Sequence, residues 1–152
     1  MKKLFVFLMF LMLGFSGCGK EEDGLKIKSI DFVVRVGDWQ DDAVDIDENL
    51  LYYYKFFQVP ELTQKIFNSG LFKCYYIYEN NEGFVVQTPL PFSFYNLEVI
   101  EDNGEVFFYT WSVSYSYDVS PGDIVFRIAF SDFFTDRSQL PSSCAFRLVL
   151  IY

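Results

Sequence analysis

Apolar and polar residues alternate along most of the chain from residue 26 onward, with the two-residue period that is typical of β-strands. The segment 105–117 shows this pattern best. Its apolar series is Trp111, Val113, Tyr115 and Tyr117, and its hydroxyl series is Thr110, Ser112, Ser114 and Ser116. We expect a strand that buries the first series and leaves the second in water.

Eight segments of this kind are separated by turn residues, and one short segment favours a helix. Asn103-Gly104 is the clearest hairpin turn, because both residues tolerate the positive φ angles that tight hairpins need. The helix is expected over 60–67 and ends before Gly70. The predicted strands cover 27–36, 50–59, 71–78, 84–88, 92–100, 105–117, 124–130 and 145–152.

Short strands joined by hairpin turns predict an all-β fold, an antiparallel β-sandwich of the Ig-like or jelly-roll-like kind. An up-and-down barrel is the alternative. The last predicted strand is strongly apolar and would be an aggregation-prone edge if it stayed unpaired. We therefore expect it to pair inside a sheet with the first strand. The acidic segment 40–49 and the segment 131–143 are predicted to be loops.

The first 23 residues have a different pattern. Lys2 and Lys3 precede an unbroken apolar run over 4–13, and small residues with Cys18 follow. A run of this length is about half of the ~20 residues that a transmembrane helix needs. The pattern therefore predicts a cleaved secretory signal rather than a membrane span.

The segment 13–18 resembles a bacterial lipobox, because Ser16-Gly17-Cys18 matches its last three positions, while Phe15 departs from the usual leucine. The resemblance implies cleavage before Cys18 and acyl chains, such as palmitate, on that residue. The acidic segment 20–23 resembles the signal that sends lipoproteins of Bacteroidetes-type bacteria to the outer face of the outer membrane. The implied organisation is a signal peptide over 1–17, a lipidated acidic tether over 18–25 and one domain over 26–152.

The order of elements after the tether is similar to that of small uncharacterised surface lipoproteins of these bacteria. A strand, a tryptophan, an acidic loop and a tyrosine-rich strand are followed by a short helix, a hairpin and a final Phe-Arg-Leu-Val-Leu strand. The resemblance implies a β-sandwich at the cell surface. It assigns no activity, so no functional residue is carried over from it.

The chain is acidic, with 21 Asp and Glu against 12 Lys and Arg and a net charge of −9. Loss of Lys2 and Lys3 with the signal changes −9 to −11. This charge disfavours nucleic acid as a partner, and it leaves attachment to the outer membrane to the lipid. Histidine is absent and no glycine-rich phosphate loop is present, so we predict that the chain is not an enzyme.

Five acidic residues are candidates for a calcium site, the only cofactor that the sequence suggests. An EF-hand loop is rejected, because Leu50 and Phe56 stand where its glycine and its final acid belong. A looser site and a solvated acidic loop remain the two alternatives. The candidate ligands are Asp38, Asp41, Asp42, Asp45 and Asp47.

Three further residues are candidates for function or cross-linking. Trp39 is predicted to lie in a loop, where an exposed ring would suit glycan binding. Cys74 and Cys144 could form a disulfide outside the cytoplasm, or each could be buried as a free thiol. The sequence thus predicts a lipid-anchored surface protein with a binding or structural module, with a glycan-binding protein and an adhesin or fimbrial subunit as alternatives.

Overall fold

The computed structural model is an antiparallel β-sandwich and describes residues 24–44, 50–131 and 137–152. Within those residues it has nine strands, one α-helix and two 3-10 turns, at Val36–Asp38 and Arg137–Gln139. The strands are β1 (Ile27–Arg35), β2 (Gln40–Val44), β3 (Leu50–Gln58), β4 (Leu71–Glu79), β5 (Val85–Pro89), β6 (Phe92–Asp102), β7 (Glu105–Ser120), β8 (Asp123–Phe130) and β9 (Ser143–Ile151); the helix is α1 (Gln64–Ser69).

The strands form two sheets with the orders β1-β9-β4-β5 and β2-β3-β8-β7-β6. The last strand therefore lies inside the first sheet, between β1 and β4. Its register with β1 runs from Ile27 opposite Ile151 to Arg35 opposite Ser143. The expected pairing of the last strand with the first is confirmed.

Aromatic side chains fill the space between the two sheets. Phe126 of the second sheet stacks on Phe146 of the first, with ring centroids 4.2 Å apart, and both rings are fully buried. Tyr76 and Tyr115 stack in the same way at 4.5 Å. The alternation along β8 is complete, because every second residue from Ile124 to Phe130 is buried. The periodicity in the sequence thus identifies the core correctly in this part of the chain.

The segment 40–44 differs from the prediction, because it is a strand and not a loop. Gln40 and Asp41 pair with Tyr54 and Tyr53 of β3, with two register shifts further along the pair. Aspartates are poor strand formers, but β2 lies at the edge of its sheet, where charged residues are tolerated. The rest of the predicted acidic loop, over 45–49, lies outside the described residues.

Helix α1 closes one end of the sandwich, which we call the tether end. Its N-cap is Thr63, whose Oγ1 accepts a hydrogen bond from the Ile66 N–H at 3.3 Å, and it ends before Gly70 as predicted. The Lys28 ammonium donates to the Glu61 carboxylate at 2.8 Å and links β1 to the residues before the helix. Residue 24, where the described chain begins, therefore lies at this end, near Tyr152.

The β6–β7 hairpin is longer than the sandwich that carries it. The Gly122 N–H donates to the Leu62 carbonyl at 2.7 Å, which places the end of β7 at the tether end. From there β7 pairs with β8 only over Val113–Ser120, whereas it pairs with β6 along its whole remaining length. Residues 95–110, which we call the arm, therefore project by about 25 Å from the end of the sandwich opposite the tether end. We call the remainder of the described chain the body.

Candidate functional site: an exposed apolar arm

The outer face of the arm is apolar and open to solvent. It continues the outer face of the second sheet, because β6 and β7 keep one register from the body into the arm. Residues directly opposite each other in this hairpin share a face. Tyr95 is 79% exposed, Phe108 is 71% exposed and Leu97 is 63% exposed. The five apolar residues of this face are Tyr95, Leu97, Val99, Val106 and Phe108. Single exposed apolar residues are ordinary, but a contiguous set of this size marks an interaction surface.

The same hairpin has a different character where it lies on the body. There its outer face carries hydroxyl groups, and the Oγ atoms of Ser93 and Ser114 are 2.8 Å apart in a hydrogen bond. Its inner face is packed, because the Phe94 ring lies edge-on to Tyr78 at 5.6 Å and to Tyr115 at 6.0 Å. The apolar outer face therefore begins where the strands leave the body.

The inner face of the arm is mixed. Ile100, Phe107 and Tyr109 are all exposed on it, and Glu98 shares that face opposite Tyr109. The arm contains four acidic residues and no lysine or arginine, so its charge is −4. This charge opposes contact with an anionic lipid surface. Taken together, the exposed apolar side chains of the arm present on the order of 800 Å² of surface, about what one partner contributes to a standard protein interface.

The arm also has a free hydrogen-bonding edge. β6 is the last strand of its sheet, so one side of it lacks a neighbour among the described residues. Asn103 and Gly104 form the turn with φ angles of 52° and 83°, as predicted. In such a two-residue hairpin the two residues that flank the turn, Asp102 and Glu105, exchange two backbone hydrogen bonds. Every second residue pair further along the two strands does the same. The backbone groups that point to the free edge are therefore those of Ser93, Tyr95, Leu97, Val99 and Glu101.

Trp39, predicted to be an exposed glycan-binding residue, is instead part of the core. It is 1% exposed and lies edge-on to Phe146 at 6.4 Å. The reason is the 3-10 turn at Val36–Asp38, which carries the chain from the first sheet to the second and turns residue 39 inward. The tyrosine-rich strands contribute three more buried rings, Tyr53, Tyr76 and Tyr115. Trp39 is therefore no sugar-stacking residue.

The candidate calcium ligands are only partly described. The Asp38 carboxylate accepts a hydrogen bond from the Arg35 N–H at 3.0 Å, and Asp41 pairs with the Arg137 guanidinium at 2.5 Å, which lowers the pKa of Asp41. Asp45, Asp47 and the side chain of Asp42 lie outside what the structure describes. Within the described residues, no three acidic, cysteine or histidine side chains gather as they would around a metal ion. Asp38 and Asp41 therefore each already have a hydrogen-bond partner within the chain.

Cys74 and Cys144 are both buried free thiols. Cys74 lies opposite Leu148 of β9, so it is offset by four residues from Cys144 along neighbouring strands. That offset separates their Cα atoms by roughly 14 Å, about twice the reach of a disulfide. Of the two predicted alternatives, the structure has the free thiols. Burial raises the pKa of each thiol to about 12, so neither is a nucleophile at neutral pH.

The tether end carries a shallow pocket of about 330 Å³, lined partly by Lys26, Lys65 and Tyr152.

The described part of the chain has no helix that is long and apolar enough to cross a bilayer. No protein-family model, curated protein or solved structure matches this chain.

The arm was missed by the sequence reasoning, although a signal for it is present. Strict alternation holds from Thr110 onward but fails before it, where 106–109 is a run of four apolar residues. A strand with apolar residues on both faces has to be covered on both sides. Most of the apolar side chains of the arm are exposed among the described residues, so that run points to a surface for a partner.

Proposed function

We propose that this chain is a lipid-anchored surface protein that uses its arm to bind another protein. The observation that carries the proposal is the contrast along one hairpin, whose outer face changes from hydroxyl groups on the body to five exposed apolar residues on the arm. Ordered strands with apolar side chains on both faces cost solvation free energy unless a partner covers them.

The lipid anchor is the second part of the proposal, and it rests on the resemblance of 13–18 to a lipobox. An extended chain from Cys18 to Gly24 spans at most about 22 Å. The tether would therefore hold the tether end of the body close to the membrane. The arm lies at the opposite end, so it would point away from the lipid. Its acidic residues would then be kept away from an anionic lipid surface, which repels them.

Two narrower functions have less support from the described residues. Glycan binding loses its main candidate, because the Trp39 ring is buried. A fimbrial subunit that accepts a strand from its neighbour needs a vacant strand position, and β9 already fills the inner position of the first sheet. The free edge of β6 supports strand addition of a different kind, at the outside of a complete sandwich.

A photo-crosslinking amino acid in place of Tyr95 tests the binding function in cells that make the full-length chain. Phe56, an exposed aromatic residue on the body, is the matched control position. We expect irradiation to give a covalent adduct with a protein from position 95 and none from position 56. Equal adduct formation at the two positions, or none at position 95, would contradict the proposal.

The lipid anchor has a separate test. Cells grown with a clickable palmitate analogue should label the wild-type chain and the Cys74→Ala variant, and should leave the Cys18→Ser variant unlabelled. Mass spectrometry of the mature chain should find an acylated Cys18 at its start. An intact Met1 terminus would remove the anchor from the proposal and leave the binding function of the arm to its own test.

A further inference from the structure

We infer that the arm binds a second copy of this chain, through antiparallel pairing of β6 with β6 about a two-fold axis at Leu97. This inference rests on the proposed function and names its partner. Such a pairing would join two five-stranded sheets into one sheet across the free edge of β6. The arguments for it are the register of the side chains and the backbone groups at the edge.

The register about Leu97 matches apolar residues with apolar residues. A two-fold axis perpendicular to the sheet keeps corresponding faces together, so each residue lies opposite one on the same face. Leu97 then meets Leu97 of the second copy, and Tyr95 meets Val99 on the outer face. On the inner face, Phe94 meets Ile100. Cross-strand pairs of this kind stabilise antiparallel sheets.

The same register places acidic residues opposite hydrogen-bond donors. Glu98 faces the Asn96 amide, and Glu101 faces the Ser93 hydroxyl. The neighbouring registers are worse: a centre at Glu98 puts two carboxylates side by side, and a centre at Asn96 puts Glu98 against Phe94. Like charges directly opposite each other are destabilising in a sheet. Of these three registers, the one about Leu97 is therefore the most favourable for self-pairing.

The backbone of β6 supports the same register. The groups that point to the free edge belong to Ser93, Tyr95, Leu97, Val99 and Glu101, and the register about Leu97 pairs these residues with one another. Full pairing would give about ten inter-chain hydrogen bonds, which is typical of a specific interface. Without such a partner, these groups form an exposed edge of the kind that sheets normally protect.

Cysteine cross-linking in cells that make the full-length chain tests this register. Leu97→Cys should form a disulfide-linked dimer on mild oxidation, because the two Cα atoms would lie about 5.5 Å apart. Val99→Cys is the matched control, since it lies on the same face but about 14 Å from its counterpart. It should not cross-link alone, but it should cross-link to Tyr95→Cys when the two variants are made together. The wild-type chain should give no disulfide-linked dimer, because it has no cysteine in the arm.

A second variant tests the edge without any cysteine. Leu97→Pro removes an N–H that points to the free edge and leaves the bonds to β7 in place, so the body should stay folded. It should lower dimer formation in chemical cross-linking at least tenfold, whereas Phe56→Ala, an exposed position on the body, should leave dimer formation unchanged. Equal cross-linking of Leu97→Cys and Val99→Cys, or no cross-linking of either, would overturn the inference. If position 95 then photo-crosslinks to a different protein, the binding function stands without self-pairing.

Discussion

The two halves of the β6–β7 hairpin share one continuous register but are held in place differently. The half on the body is supported by β8 along one edge and by the first sheet beneath it, where Phe94 packs against Tyr78 and Tyr115. Among the described residues, the strand pairs of the arm are those between β6 and β7. Strand pairing alone gives marginal stability in water, since an isolated hairpin needs packing against something else. We therefore expect the body half to contribute to the stability of the fold and the arm to contribute little to it.

Core packing gives the largest predicted difference between the body and the arm. Phe126→Ala removes a ring that is 0% exposed and stacked on Phe146, and should lower the free energy of unfolding by ~3–5 kcal/mol. Phe108→Ala removes a ring of equal size from the arm and should change it by less than about 0.5 kcal/mol. Chemical denaturation of the full chain measures both. A cost for Phe108→Ala close to that of Phe126→Ala would show that the arm belongs to the core.

Two glycines sharpen the comparison, because both adopt a positive φ angle, one in the arm and the other in the body. Gly104 turns the arm at φ 83° and Gly122 turns β7 into β8 at φ 87°, and an added Cβ would meet nothing within 4 Å at either position. Alanine in this conformation costs roughly 1–2 kcal/mol. Gly122→Ala should lower the melting temperature, since that turn is hydrogen-bonded to Leu62 and Val59.

Gly104→Ala should leave the melting temperature nearly unchanged, because the arm can open locally and release the strain. Its effect should appear instead as faster amide hydrogen exchange within 95–110. Equal losses of melting temperature in the two variants would mean that the arm and the body unfold as one unit, which would contradict the comparison.

The smallest predicted effect concerns an ion pair of the body that has no equivalent in the arm. Arg147 donates to both carboxylate oxygens of Asp31, at 2.6 and 2.8 Å, and this hydrogen bonding lowers the pKa of Asp31 below its ordinary value of 3.8. Its contribution to stability is therefore complete above that value and is lost as the pH falls through the lowered pKa.

Asp31→Asn should accordingly melt slightly below the wild type at neutral pH, and the gap should close as the pH falls below 3.8. Arg147→Gln should give the same gap, and the double variant should add nothing further. The effect is small because the pair is exposed to solvent. A gap that stays constant down to low pH would show that the carboxylate makes no such contribution.

Much of the fold follows from the sequence, since the alternation along β8 and β9 and the turn at Asn103-Gly104 lie where they were predicted. The strand over 40–44 could not be predicted, because its aspartates disfavour strands and only its edge position makes it possible. The burial of Trp39 depends on which sheet the chain crosses to, and local sequence does not specify that. The projection of the arm depends on the unequal lengths of β7 and β8, which only the register between them reveals.

Hydroxyl-radical footprinting tests the central claim most directly, because it measures whether the arm is covered. The full-length chain would be oxidised both on intact cells and after purification to dilute solution, and modification of Tyr95, Phe108 and the control Phe56 would be quantified by mass spectrometry. We predict that Tyr95 and Phe108 are several-fold less modified on cells than in dilute solution, while Phe56 is modified equally in both. Equal modification of the two arm residues in both states would contradict the claim that the arm is a binding surface.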